Sequence, residues 1–204
     1  MNNIYIVFYK IFFNKKGVRF MKQILIALTV FLILSTSESF SKGPFSLETS
    51  DLNLGIGLGS TLGGDATLPP ITASYEIGFP WTKNSITENI SLGGYAGFAR
   101  TEYDWYWGTW SYTHIIVGAR GSYHFYNEDD IDAYGGLMIG YNILTSSWES
   151  KTGYEDFDHS SADAGGLTYS GHVGARYFFS PGFGAYAELG YGVAYLSVGV
   201  TLKL

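Results

Sequence analysis

Histidine is the scarcest reactive side chain in this 204-residue sequence, occurring at His114, His124, His159 and His172, and cysteine is absent. Without Cys there is no thiolate nucleophile, disulfide, Cys-based zinc site or lipid-modified cysteine. A Ser–His–acid site needs three groups within hydrogen-bond reach. Asp158-His159-Ser160-Ser161 offers the right residue types. Neighbours on one long loop seldom converge, so a solvated loop is the simpler reading. His114 and His172 are too few for a metal site and read as hydrogen-bonded polar groups inside the fold. No catalytic, cofactor-binding or metal-binding residue is assigned, and no cofactor is expected. The chain reads as non-enzymatic.

The remaining charged residues of interest fall on one face of the elements that carry them. From Leu52 onward the sequence alternates with period two, the signature of strands with two different faces. Between Thr113 and Phe125 the odd positions are mostly bulky (Ile115, Val117, Tyr123), whereas the even ones include His114, Gly118, Arg120, Ser122 and His124. The stretch from Leu167 to Phe179 repeats this, with Val173 and Tyr177 on one face and His172, Gly174 and Arg176 on the other. Eight strands are expected, at 52–60, 70–79, 88–99, 112–125, 131–144, 167–179, 183–191 and 194–203. Several are long enough for a tilted strand to cross a bilayer, which takes about 9–11 residues. Connections after strands two, four and six are short, and those after one, three and five are longer. Gly192-Val193 reads as a two-residue type II′ turn.

Composition agrees with strands. Gly reaches 27 residues and aromatics 18%, with 17 Tyr and 14 Phe, a mixture ill suited to helices because each interior Gly costs about 1 kcal/mol. The small-plus-charged face suits the cramped lumen of an eight-stranded barrel, and the bulky face suits lipid. A soluble barrel with the faces reversed is the competing arrangement. Aromatics near strand ends (Tyr75, Phe79, Trp81, Tyr123, Phe125, Tyr177, Phe179, Phe183, Tyr191) match the girdles at membrane interfaces.

The first forty residues stand apart. Ile24 to Leu34 is an uncharged apolar run preceded by Arg19 and Lys22 and followed by small residues. That is the layout of a cleavable signal peptide over residues 1–41, with cleavage after Ser39 or Ser41. The run is short for a retained anchor. Met21 reads as the true start, with residues 1–20 an upstream extension. Removing residues 1–40 takes away five cations and one acid. This leaves 7 cations and 17 acids, a net charge of −10, which argues against nucleic acid as a partner.

The signal, the Gly/aromatic strands, the stretch Gly174-Ala175-Arg176-Tyr177-Phe178-Phe179 and the stretch Gly184-Ala185-Tyr186-Ala187-Glu188-Leu189-Gly190-Tyr191-Gly192 resemble the porin-family outer-membrane β-barrel domain, the group of small OmpA-like proteins. The resemblance spans about residues 50–204. It implies an all-β fold, an eight-stranded antiparallel up-and-down transmembrane barrel over residues 42–204, in the outer membrane of a Gram-negative envelope. It also implies outer-membrane lipids and lipopolysaccharide as surroundings, and the barrel-assembly machinery as a partner during insertion. Many relatives end in an aromatic residue where this chain has Leu204, a departure that bears on assembly rather than on the fold.

Inside such a barrel, strand register restricts which charges meet. For strands six and seven, facing residue numbers should total 362 or 364. Arg176 and Glu188 are then direct or diagonal neighbours, and a salt bridge between them is expected. Pairing Phe125 with Ile131 sets His124 opposite Asp132. With Glu76 and Arg120 also inward, Glu76, Arg120, His124, Asp132, Arg176 and Glu188 are expected to form one lumenal network, because an unpaired buried charge is costly. Tyr95, Tyr134, Met138 and Tyr186 would fill the space between. The network reads as a polar plug; a gate in a narrow passive pore is the alternative, and an outer-leaflet lipid-modifying enzyme a remoter one.

Two outer loops carry the other candidates. Tyr103, Trp105, Tyr106, Trp107, Trp110 and Tyr112 crowd the second, either as a surface for glycan or protein contact or as an extended girdle. Tyr103, Trp105, Trp107 and Trp110 are the contact candidates. The third, Thr145 to Gly166, is acidic, which suits divalent cations bridging to lipopolysaccharide phosphates or simple solvation.

Overall fold

The computed structural model describes residues 43–62, 65–79, 87–151 and 162–204. The expected signal segment, Trp81 and the Asp158-His159-Ser160-Ser161 cluster lie outside the described residues. Eight strands follow in order: β1 (Ser50–Ser60), β2 (Asp65–Gly78), β3 (Ile90–Asp104), β4 (Gly108–Glu128), β5 (Ile131–Ser150), β6 (Ala162–Ser180), β7 (Phe183–Gly190) and β8 (Ala194–Lys203). Each pairs antiparallel with its neighbour, and β1 closes on β8 to complete the barrel. The closure is fastened at its end by Leu204 N–H donating to Ser50 O at 2.8 Å. Full closure leaves no unpaired sheet edge.

The two faces sort as period two demands. Ile56, Ile71, Ile115, Val117, Leu137, Ile139, Leu167, Val173 and Leu189 point outward and are exposed. Glu76, Arg120, His124, Asp132 and Arg176 point inward and are buried. A soluble barrel would show the reverse.

Five strands outrun the sequence-based expectation by three residues or more, β2 with its 14 residues among them. β3 to β6 span 15, 21, 20 and 19 residues, well beyond the length a bilayer requires. Tyr103 and Trp110 therefore belong to β3 and β4 and face each other across the ladder; only Trp105, Tyr106 and Trp107 form the connection. Likewise Thr145–Ser150 extends β5, and the expected third loop is correspondingly shorter. On the outer face of these extensions the residues turn polar: Arg100 and Glu102 on β3 form an ion pair at 3.3 Å, and Thr145, Ser147 and Glu149 continue β5 beyond Ile143. A paired wall thus projects past the apolar band. Backbone pairing, which polar side chains do not interrupt, carries the strands past the point where the apolar pattern ends.

Local irregularities have local causes. The β2–β3 ladder shifts register between Leu68 and Ile71, where Pro69 and Pro70 cannot donate to it. The β4–β5 turn holds Asp129 at a φ of 52°, a left-handed conformation that a short polar side chain tolerates. The expected type II′ turn at Gly192 is absent: Tyr191–Val193 form a three-residue connection, and Gly59 holds the one positive-φ glycine among the described residues. Val193 is instead driven inward, fully buried among lumenal side chains.

Candidate functional site

The lumen is organised in tiers along its axis, starting at the end that holds Ser50 and Lys203. Arg176 on β6 is the hub of the first tier, a residue only 1% exposed. Its Nη1 donates to Asp132 Oδ2 at 2.8 Å and to Asp51 Oδ2 at 3.4 Å, its Nη2 to Glu76 Oε2 at 2.9 Å, and its Nε to Asn53 Oδ1 at 3.2 Å. One planar fork thus ties β6 to β1, β2 and β5, a use of arginine's geometry that lysine cannot copy. Arg120 is the second hub. It holds Glu188 through two bonds, Nη2 to Oε2 at 2.8 Å and Nη1 to Oε1 at 3.3 Å, and its Nε lies beside Glu76 Oε1. Glu76 bridges the two arginines, so Glu76, Arg120, Asp132, Arg176 and Glu188 form one connected cluster.

The expected Arg176–Glu188 salt bridge does not form. Arg176 pairs with Tyr186 and Glu188 with Gly174, the diagonal register, and Tyr134 occupies the gap. Its ring lies under the Arg176 guanidinium at 4.3 Å and its hydroxyl donates to Glu188 Oε2 at 3.0 Å. Gly174 makes room for this, because a Cβ there would come within 2.8 Å of the Tyr134 hydroxyl. Tyr186 fills the opposite side and meets Thr72 Oγ1 at 3.1 Å.

His124 does meet Asp132, with Nδ1 to Oδ1 at 2.6 Å, although not through the expected register. A bulge at Phe125 sets His124 opposite Tyr134 and Asp132 opposite Asn127. Its Nε2 lies 3.0 Å from Ser91 Oγ. Ser91, His124 and Asp132 therefore stand in the order nucleophile–base–acid inside the barrel, a set that sequence reading did not consider. The Ser91 hydroxyl donates to Glu76 Oε2 at 3.1 Å, so it turns a lone pair toward the imidazole. A nucleophile needs the opposite polarity, its proton passing to the base. Ser122 is held similarly between Glu76 Oε1, at 3.3 Å, and His172 Nε2, at 2.9 Å.

Asp51, Asn53 and Phe45 are among the participants that sequence reading missed. Asp51 and Asn53 lie inward on β1, at positions that the alternation of Leu52, Leu54 and Ile56 would have indicated. Phe45 could not be anticipated, because it belongs to no strand. The lead-in segment folds under the barrel, and Phe45 stacks on His124 with ring centroids 3.6 Å apart and planes at 10°. Asn127 holds its backbone on both sides: Phe45 N–H donates to Oδ1 and Nδ2 donates to Phe45 O, each at 2.8 Å. Lys203 Nζ donates to Pro44 O.

Above the ionic tiers the lumen becomes apolar. Ala99, Ile116, Met138 and Val193 pack together, with Leu62 and Tyr95 against them. Beyond them it opens into a cavity of about 490 Å³ lined by Tyr103, Trp105, Trp110, Tyr112 and His114 among others. Of the contact candidates, Tyr103, Trp105 and Trp110 share this cavity, while Trp107 packs edge-on against Tyr106 at 4.9 Å. Among the described residues no group of three or more His, Cys, Asp or Glu is arranged to hold a metal ion.

A closed eight-stranded barrel that is apolar outside and ionic inside is a membrane-spanning barrel of the outer-membrane type. No protein-family model matches the chain, and no curated protein matches it in sequence. Among solved structures it is similar to Ail, the attachment invasion locus protein of Yersinia pestis, determined with the heparin analogue sucrose octasulfate. That match has 14% identity and a TM-score of 0.46, and covers 76% of this chain and 94% of that one. The N-terminal β-barrel domain of Pseudomonas aeruginosa OprF matches at 15% identity and a TM-score of 0.45, over 78% of this chain and all of that one. Neisserial surface protein A matches at 13% and 0.47, over 82% and 100%. At such identities the likeness is one of backbone alone.

Proposed function

We propose that this protein is a non-enzymatic outer-membrane barrel with a plugged lumen, serving envelope structure and surface contact through the wall that projects past the lipid. The single observation carrying this reading is the sealed ionic tier. Arg176 is spanned by Asp51, Asn53, Glu76 and Asp132, and Phe45 closes the end below it. In this reading the end holding Phe45 is periplasmic, and the aromatic end faces the outside, bordered by lipopolysaccharide. Insertion would proceed through the barrel-assembly machinery.

An ion path would have to break several charge-assisted bonds at once, each stronger than a neutral one. Hydrolysis at Ser91 is disfavoured by its burial, 1% exposed, and by its bond to Glu76. Planar-bilayer recording of the refolded protein tests the plug: silence is expected, and a steady salt-dependent current would replace this reading with the narrow pore. Gel mobility before and after boiling tests the barrel itself, with a heat-dependent shift expected.

A further inference from the structure

The cavity at the outer end is a blind cup, and its lining specifies a class of ligand. Leu62 in its lining packs against the apolar tier of Ala99, Ile116, Met138 and Val193, which separates it from the ionic lumen. Four aromatic side chains, Tyr103, Trp105, Trp110 and Tyr112, contribute to its wall, and among the described residues no charged side chain lines it. Two polar groups stand among these rings. His114 Nδ1 lies 3.2 Å from Asn142 Nδ2 and 3.4 Å from Asn142 Oδ1, so the Asn142 amide holds the ring by that nitrogen within the cavity lining. Thr101 is 1% exposed, and its Oγ1 has no hydrogen-bond partner among the described residues. A buried hydroxyl left unpaired is costly, and among the described residues Thr101 is the one polar side chain of the cavity lining left in that state.

We propose that this cup binds a neutral sugar ring, such as the exposed end of a glycan. Its volume lies within the range of small-ligand pockets, roughly 300–1,000 Å³. A pyranose offers what the lining asks for, an apolar C–H face to lie on Trp110 or Tyr112 and hydroxyls on its edge for Thr101 and His114. Among the described residues the lining offers no Lys or Arg, the charge-assisted partners that sulfated or phosphorylated sugars need. Among the described residues it likewise offers no acid to a cation. The inference rests on the outward orientation proposed above, but binding in detergent does not depend on whether the lumen conducts.

The test uses the full chain refolded in lauryl dimethylamine oxide, a detergent without a sugar headgroup, with folding of every variant checked by heat-dependent gel mobility. Tryptophan fluorescence is titrated with methyl glucoside, methyl galactoside and N-acetylglucosamine, and with sucrose octasulfate and hexanol as the anionic and apolar arms. Saturable quenching by at least one neutral sugar is expected, with a Kd of about 1 mM. Thr101→Val should weaken it about tenfold while leaving thermal stability equal or higher, since an unpaired buried hydroxyl is lost. Thr101→Ser should keep binding, and Trp110→Ala should weaken it at least as much as Thr101→Val. No saturation by any neutral sugar, tighter binding of the octasulfate, saturation by hexanol alone, or unchanged sugar binding in Thr101→Val would each overturn the proposal.

Discussion

Tyr134 carries the Arg176 guanidinium on its ring at 4.3 Å while its hydroxyl donates to Glu188, so one aromatic side chain links the two arginine-centred clusters. Tyr134→Phe separates these roles. The ring and its cation contact remain, and the bond to Glu188 is lost. A hydrogen bond to a charged group is worth about 1.5–3 kcal/mol. Glu188 keeps both bonds from Arg120, so a loss near 1.5 kcal/mol is expected. Tyr134→Ala also empties a fully buried site and should cost about 3–5 kcal/mol. Urea midpoints of the protein in lipid vesicles, followed by tryptophan fluorescence, read both.

Arg176 should be the least replaceable residue of the lumen. Removing it leaves Asp51, Glu76 and Asp132 buried around an absent cation, and breaking a buried ion pair from one side costs about 3–5 kcal/mol. Arg176→Met should lose at least that much. Arg176→Lys restores the charge without the fork and should fall between Met and the parent. Equal stability of Lys and Arg at this position would mean that charge alone, not geometry, holds the strands together.

How far this arrangement could be read from the amino-acid order depends on the kind of information involved. Alternation placed Glu76, Arg120, His124, Asp132, Arg176 and Glu188 on the inner face, because side-chain direction in a strand is strictly periodic. Which of them touch depends on register and on intervening side chains. A single bulge at Phe125 shifts the ladder, and Tyr134 displaces Glu188 from Arg176. The length of the wall was concealed by the polar outward residues of β3 to β6. They resemble loop composition, but their backbone remains paired. Phe45 gave no signal at all, since neither periodicity nor motif marks a segment that folds beneath a barrel.

Phe45 and the ionic tier close the same end by different means, which makes their contributions separable. Phe45→Ala removes the ring stacked on His124, and the expected loss is about 3 kcal/mol, the lower end for a buried phenylalanine, because the segment lies at the rim. Conductance should stay at zero, since Arg176 and its four partners still fill the bore. A current appearing in Phe45→Ala alone would make the lead-in segment, not the arginine tier, the seal.

The edge of the hydrocarbon should lie between Ile143 and Thr145 on β5, because outward positions are apolar from Leu137 through Ile143 and polar at Thr145, Ser147 and Glu149. Arginine scanning reads this boundary directly. Ile139 is 57% exposed on the apolar band, and Ile139→Arg should destabilise the barrel by about 2–4 kcal/mol, as cations do near the bilayer midplane. Ser147 points the same way, eight residues further along the same strand, and Ser147→Arg should cost about 0–1 kcal/mol. Neither substitution touches the lumen, so any difference between them reports only the surroundings of the outer face. In detergent micelles, whose apolar boundary adapts, the gap should narrow. If the two variants were equally stable in bilayers, the extended strands would have to lie within the lipid, and the projecting wall with its aromatic cup would lose its position outside it.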